Sequence, residues 1–227
     1  MGTDTQADES GRAAAPISRT YRAAMSLCRP LGRWGRLRVE GLEALPASGP
    51  VLVIGNHDSY WDPVLIGLAA RRRRQIRALA KSSLWRVPGL GPVLNGMGQI
   101  PIVRGAGDAA AMENAIEALR DGSCIGVFPE GTTSRGRTLR ARSGVGRLAL
   151  AVPEARLVLV GITGTTDYSR FPVRPRVAVR FFAPEGGQPR PGEDPGELSA
   201  RLLGEIRAEI PPIAAGRAGA AAAAELS

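Results

Sequence analysis

Short apolar runs recur along the chain at VLVIGN (51–56), IRALAK (76–81), QIPIVR (99–104), CIGVF (124–128) and LVLVGI (157–162). Each has the length of a β-strand, and hydrophobicity that is nearly continuous rather than alternating predicts a sheet covered on both faces. The stretches between them read as helices, most clearly AAAMENAIEALRDG, where Met112, Ile116 and Leu119 recur at helical spacing and Gly122 supplies a stop. Strands and helices in alternation predict an α/β fold, with a mostly parallel central sheet and helices on both faces in a single domain. RVAVRFF (176–182) reads as a late strand, and ELSARLLGEIRAEI (197–210) as a closing amphipathic helix with Leu202, Leu203, Ile206 and Ile210 on one side. The series Trp85, Val87, Leu90, Val93, Leu94 and Met97 reads as core packing.

The two ends differ in character from this body. Residues 1–15 carry no periodic apolar pattern and read as a disordered tail, and residues 213–227 form a low-complexity tail beyond Pro211 and Pro212. One domain is expected over 41–212. Ahead of it, 16–40 is a basic amphipathic helical segment. At about 100° per residue, Arg19, Arg22, Arg29, Arg33 and Arg36 gather on one arc, and Ile17, Tyr21, Met25, Leu27, Leu31 and Trp34 take the rest. Pro30 is expected to split it into two short helices. Two readings fit the pattern. One is a helix lying in a membrane interface, drawn to anionic lipid and anchored by its apolar side; the other is a helix packed on the domain with a solvated basic face.

Composition narrows the partners. The 227 residues are 44% hydrophobic, ample for a core, and no stretch approaches the run of about 18 apolar residues that a spanning helix needs. The N-terminus MGTDTQADES is polar and acidic, unlike a signal peptide. The net charge of +9 comes almost wholly from arginine, since Lys81 is the only lysine, and arginine's planar fork suits phosphate groups. That charge also raises nucleic-acid binding. However, only 4% of residues are aromatic, which leaves little stacking surface, and the RRRR run at 71–74 follows an apolar helix as a solvated end would. No nucleic-acid partner is expected. Cys28 and Cys124 lie far apart without CxxC spacing, which argues against a zinc site or a disulfide framework and for a reduced, cytoplasmic setting. Cys124 begins a buried strand, where thiols are usually inert.

The only histidine, His57, lies in NHDSYWDP just beyond a strand, with Asp62 five residues later opening the next helix. A lone histidine makes a poor metal site but a good general base, since imidazole titrates near physiological pH. A metal hydrolase built on His57, Asp58 and Glu130 is disfavoured, because such sites ordinarily need two histidine or cysteine ligands. The strand ends of open α/β sheets are where ligands bind. There a carboxylate at Asp62 can hold the imidazole in one tautomer and stabilise the imidazolium; Asp followed by Pro is also an ordinary helix cap. FPEGTTSRGR follows the CIGV strand and so places Glu130, Gly131, Thr132 and Ser134 at the same sheet edge. Gly131 lets backbone approach a ligand closely, and hydroxyls with backbone amides can hold phosphate oxygens.

NHDSYWD resembles the NHxxxxD block, and FPEGTTS the FPEGTRS block, of the glycerolipid acyltransferase superfamily, typified by bacterial 1-acyl-glycerol-3-phosphate acyltransferases. AKSSLWRVPGLGPVLNGMGQIPIVRG is similar to the family's middle region, and the likeness runs from about Gly41 to Gly161. The resemblance implies that His57 activates an acceptor hydroxyl, which attacks the thioester of acyl-CoA or acyl carrier protein, with Asp62 supporting the histidine. It also implies that Arg104, Glu130, Gly131, Thr132, Ser134 and Lys81 bind the acceptor's polar head. Neither a cofactor nor a metal ion is required. The implied acceptor is a lysophospholipid, foremost 1-acyl-glycerol-3-phosphate going to phosphatidic acid, and the implied location is peripheral, on an anionic membrane surface at the inner face of the cell membrane. In this light the series from Trp85 to Met97 could also line an acyl-chain tunnel or face the membrane.

Two positions depart from the family pattern: Val160 stands in place of the proline of its last block, and Thr133 replaces the arginine of FPEGTRS, with Arg135 two positions on. The Thr133 departure opens an alternative acceptor head, lyso-ornithine or glycolipid. A catalytically inactive peripheral membrane-binding protein is a further alternative, against which intact His57 and Asp62 argue.

Overall fold

The structure, a computed structural model, describes residues 16–103 and 108–212. Arg104 and the two tails, 1–15 and 213–227, lie outside the described residues. The apolar runs become strands of one sheet, joined by a short edge strand that none of them marked: β1 (Arg38–Glu40), then β2 (Val51–Gly55), β3 (Ile76–Lys81), β4 (Ile100–Ile102), β5 (Cys124–Val127), β6 (Arg156–Thr163) and β7 (Ala178–Phe182). Their order is β1-β7-β6-β2-β5-β3-β4, and every neighbouring pair is parallel except β6 with β7. The mostly parallel sheet with helices on both faces is thus the expected one.

Burial on both faces explains why the runs show no polar alternation. Leu52 and Ile54 of β2 enter the core beneath α5 (Ala109–Arg120), α6 (Gly144–Ala151) and α7 (Pro195–Glu209). Val51 and Val53 enter the other core, beneath α1 (Arg19–Leu27) and α3 (Asp62–Ala70). β6 repeats the division, with Leu157 and Leu159 on the first side and Val158, Val160 and Ile162 on the second.

The basic segment divides at Cys28 into α1 and α2 (Arg29–Trp34), with Pro30 in the first turn of the second helix, as expected. Its apolar side is spent on the domain. Tyr21 and Met25 are buried, and the Tyr21 hydroxyl donates to the carbonyl of Gly67 in α3 at 3.2 Å. Arg19, Arg22, Arg29, Arg33 and Arg36 all remain exposed, as does Leu27 at 83%. The helical reading of 16–40 overran at its end, since Arg38–Glu40 is a strand paired with β7. RVE is short, exposed and at the sheet's edge, so no apolar run marked it.

Two other expectations are corrected. The RRRR run is only partly a solvated helix end. Arg74 is buried and donates to the carbonyls of Gly49 and Gly122, just ahead of β2 and β5, while Arg73 donates to the carbonyl of Leu45. These guanidiniums satisfy loop carbonyls that the sheet does not reach. The series from Trp85 to Met97 is half-exposed rather than core. The 3-10 turn Ser82–Arg86 and α4 (Leu90–Gly96) fold on each other, and α4 also packs on α1, leaving Val87 and Val93 outward.

α7 sits close against α6 because Gly146 has no side chain. A Cβ there would lie 2.0 Å from the carbonyl oxygen of Pro195, and the Gly146 N–H donates to Ser199 Oγ at 2.8 Å. Gly146→Ala is expected to cost about 3 kcal/mol by overpacking, lowering Tm by roughly 6–12 °C for a domain of this size. Thermal unfolding followed by circular dichroism measures it.

Candidate active site

β2 and β5 are neighbours, and their register pairs Ile54 with Val127. Three residues beyond each partner stand His57 and Glu130, so the strand pairing itself brings the two motif loops together. The His57 N–H donates to Glu130 Oε2 at 2.7 Å, and the Ser134 N–H donates to the His57 carbonyl at 2.7 Å. β6 flanks β2 on the other side. Asn56 exchanges two hydrogen bonds with the backbone of Ile162, both 2.8 Å, which fixes the start of the loop.

Asp62 is fully buried at the start of α3. Its Oδ2 accepts from the N–H groups of Asp58 (2.7 Å) and Ser59 (2.8 Å) and lies 3.1 Å from His57 Nδ1. Its Oδ1 accepts from the Thr165 hydroxyl, in the 3-10 turn Thr165–Arg170 after β6. The carboxylate therefore serves the loop before it rather than capping its own helix. A carboxylate only accepts, so Nδ1 carries the proton and neutral His57 keeps its lone pair on Nε2. Nε2 makes no hydrogen bond among the described residues. The imidazole stacks on Phe128, with centroids 4.3 Å apart.

The residues expected to hold a polar head separate into two groups. Glu130 and Ser134 are buried and engaged inside the protein: Glu130 with His57 and Arg207, and Ser134 through its hydroxyl with Asp58. Burial pushes the Glu130 carboxyl above the usual carboxylate range, against the pull of Arg207 and the His57 N–H. Thr132 and Lys81 are exposed and Gly131 is half-exposed at the same edge of the sheet. Arg104 lies outside the described residues. Thr133 is buried, and Arg135 turns its guanidinium to the Tyr60 hydroxyl at 3.3 Å.

Asp58 and Glu130, considered above as metal ligands, are bridged by the guanidinium of Arg207 from α7. Sequence reasoning missed Arg207, Thr165 and Phe128. Thr165 had no signal at all. Arg207 had a faint one, a charge beside Ile206 at the edge of an otherwise apolar helical arc. Cys124 is buried, its thiol pushed up to about 12 by burial, which removes it as a nucleophile at neutral pH.

A cavity of about 500 Å³ opens beside the site, between the ends of β3, β4 and β5 and the helices α5 and α6. Leu79, Ile102, Met112, Val127, Phe128 and Leu148 give it an apolar wall, and Gly131 lines it together with the charged residues Arg142, Arg147, Asp108 and Glu113. Gly131 has a φ of +66°, and a Cβ there would lie 2.7 Å from Arg142 Cδ, so the arginine stem lies across the glycine. Arg142 forms no ion pair among the described residues.

Comparison with known proteins gives a consistent picture. A family model described as Acyltransferase matches residues 36–173. A 1-acyl-sn-glycerol-3-phosphate acyltransferase of Borreliella burgdorferi is 36% identical over 121 residues, 51% of this chain and 48% of that protein. A lyso-ornithine lipid O-acyltransferase of Pseudomonas aeruginosa is 34% identical over 107 residues, 47% of this chain and 39% of that protein. The chain thus spans about half the length of these curated relatives or less. The crystal structure of the 1-acyl-sn-glycerophosphate acyltransferase PlsC from Thermotoga maritima shares the fold. Its TM-score is 0.67 at 21% identity, over 84% of this chain and 78% of that one.

Proposed function

This chain belongs to the acyltransferase family, and from that premise we propose that it moves a fatty acyl group from an acyl thioester to the free hydroxyl of a lysophospholipid. The leading acceptor is 1-acyl-glycerol-3-phosphate, giving phosphatidic acid, and the donor is acyl-CoA or acyl carrier protein. The observation that carries this reading is the His57–Asp62 pair, which leaves the Nε2 lone pair at the sheet edge without a hydrogen bond among the described residues. Nε2 takes the proton of the acceptor hydroxyl as its oxygen attacks the thioester carbonyl. Asp62 stabilises the imidazolium, and the tetrahedral intermediate expels a thiolate that recovers the proton. Ester and free thiol result. Base help of this kind is worth about 10² to 10⁴ in rate.

The apolar wall of the cavity beside Phe128 suits an acyl chain, and Arg142, which lines it beside Gly131 and forms no ion pair among the described residues, suits an anionic head. Arg142, lying across Gly131, supplies the guanidinium that Thr133 lacks. Glu130 and Ser134 hold the site together rather than touch the acceptor. A second reading, an acceptor with an ornithine or sugar head, is favoured by Thr133 and by the similarity to the lyso-ornithine lipid enzyme. No helix among the described residues is long and apolar enough to cross a membrane. Attachment to the inner face of the cell membrane is peripheral, through the exposed arginines of α1 and α2 and the outward Leu27, Tyr60, Trp61 and Phe171.

Release of free CoA from acyl-CoA, with a panel of lysolipid acceptors, tests this. Release with lysophosphatidic acid is expected, with KM for that acceptor rising about 10- to 10²-fold in Arg142→Ala, the loss of a charge-assisted hydrogen bond. Release only with an ornithine or sugar head favours the second reading. Failure with every acceptor, and with acyl carrier protein as donor, leaves a membrane-binding protein without turnover.

A further inference from the structure

No motif marks Arg207, yet it touches both motif loops from the far end of the chain. We propose that Arg207 is a positioning residue for His57, closing a ring of hydrogen bonds that fixes both backbone polar groups of the histidine. The ring starts at the His57 N–H, which donates to Glu130 Oε2 at 2.7 Å. The other Glu130 oxygen accepts from Arg207 Nη2, and Arg207 donates onward to both oxygens of Asp58, at 2.8 and 3.0 Å. Asp58 Oδ1 accepts from the Ser134 hydroxyl, and the Ser134 N–H returns to the His57 carbonyl.

Two buried carboxylates that share a small space need a cation between them, and Arg207 is the only one paired with either among the described residues. Its planar fork spans the two, where a lysine would offer a point charge. Without it, Asp58 and Glu130 face each other with no compensating charge. Relief comes from a proton on one carboxyl or from the loops drawing apart; in either case the fork no longer ties the two loops together, and the 56–59 loop carries His57. Asp62 holds the imidazole at Nδ1 and the N–H groups of Asp58 and Ser59, whereas the ring through Arg207 holds the N–H and carbonyl of His57 itself, so two restraints that meet at Asp58 set where Nε2 points.

His57 is the only histidine in the chain, so its imidazole nitrogens give the only histidine signals in a ¹⁵N spectrum. The native protein is expected to show one tautomer with Nδ1 protonated. In Arg207→Gln those signals should move and broaden while the amide spectrum stays dispersed. The effect on turnover rests on the acyl-transfer reading: kcat should fall about 10²-fold, as for a misplacement of about 1 Å, with KM little changed. Native imidazole signals in folded Arg207→Gln overturn the proposal. Should that variant not fold, Arg207→Lys, which keeps the charge and loses the fork, is read by the same signals. Displaced signals support the proposal even if the native protein transfers no acyl group, which separates this inference from the function it builds on.

Discussion

His57→Ala is expected to lower acyl transfer about 10²- to 10⁴-fold while the protein stays folded. An alcohol is too weak an acid to ionise at neutral pH, so the attack needs a base in place as the bond forms, and no other described histidine exists to substitute. The fold should tolerate the change. Asp62 keeps three of its four donors, from Asp58, Ser59 and Thr165, and the ring through Glu130 and Ser134 involves only the main chain of residue 57. CoA release and circular dichroism, measured on the same preparation, check it. A folded variant with near-native turnover removes His57 from the chemistry.

Asp62→Asn should be nearly as severe for rate, about 10²- to 10⁴-fold, and mild for stability. The amide oxygen can take the Oδ2 position and keep the Asp58 and Ser59 N–H bonds, and the amide nitrogen can then donate to Thr165. What disappears is the negative charge beside the imidazolium. Asp62→Ala differs, because it strands the buried N–H of Asp58 at about 1–3 kcal/mol and the half-buried N–H of Ser59 at less. If Asp62→Asn retains turnover within tenfold of native, the carboxylate is a loop brace and no more. Paired measurements of kcat and of urea unfolding for the two variants separate the charge from the bracing.

Much of this arrangement is legible in the sequence where burial is two-sided. Val51–Gly55, Cys124–Val127 and the 157–162 stretch of β6 are apolar throughout because each packs a core on both faces, and the resulting order of elements sets His57, Asp62 and Glu130 at one edge. One-sided or edge elements were not legible. β1 has three exposed residues, and the 82–96 region has a single covered side, so its apolar residues looked like core. The inward direction of Glu130 and Ser134 could not be read either, because a motif states which residues occur and not which way they turn. Arg207 stands 149 residues from Asp58, one arginine among many, and only the packing of α7 on α6 and β2 reveals its partners.

The register of β2 with β5 has a consequence for how the chain can change length. His57 and Glu130 are 73 residues apart, yet their separation in space is set by the pairing of Ile54 with Val127 and not by what lies between. Surface turns along that stretch can therefore grow or shrink without altering the site. One residue removed from Val51–Gly55 has the opposite effect: every side chain beyond it exchanges core for core, and the histidine loop arrives out of step with its partner. The reacting groups are keyed to ladder rungs, so insertions are tolerated between the strands and forbidden within them.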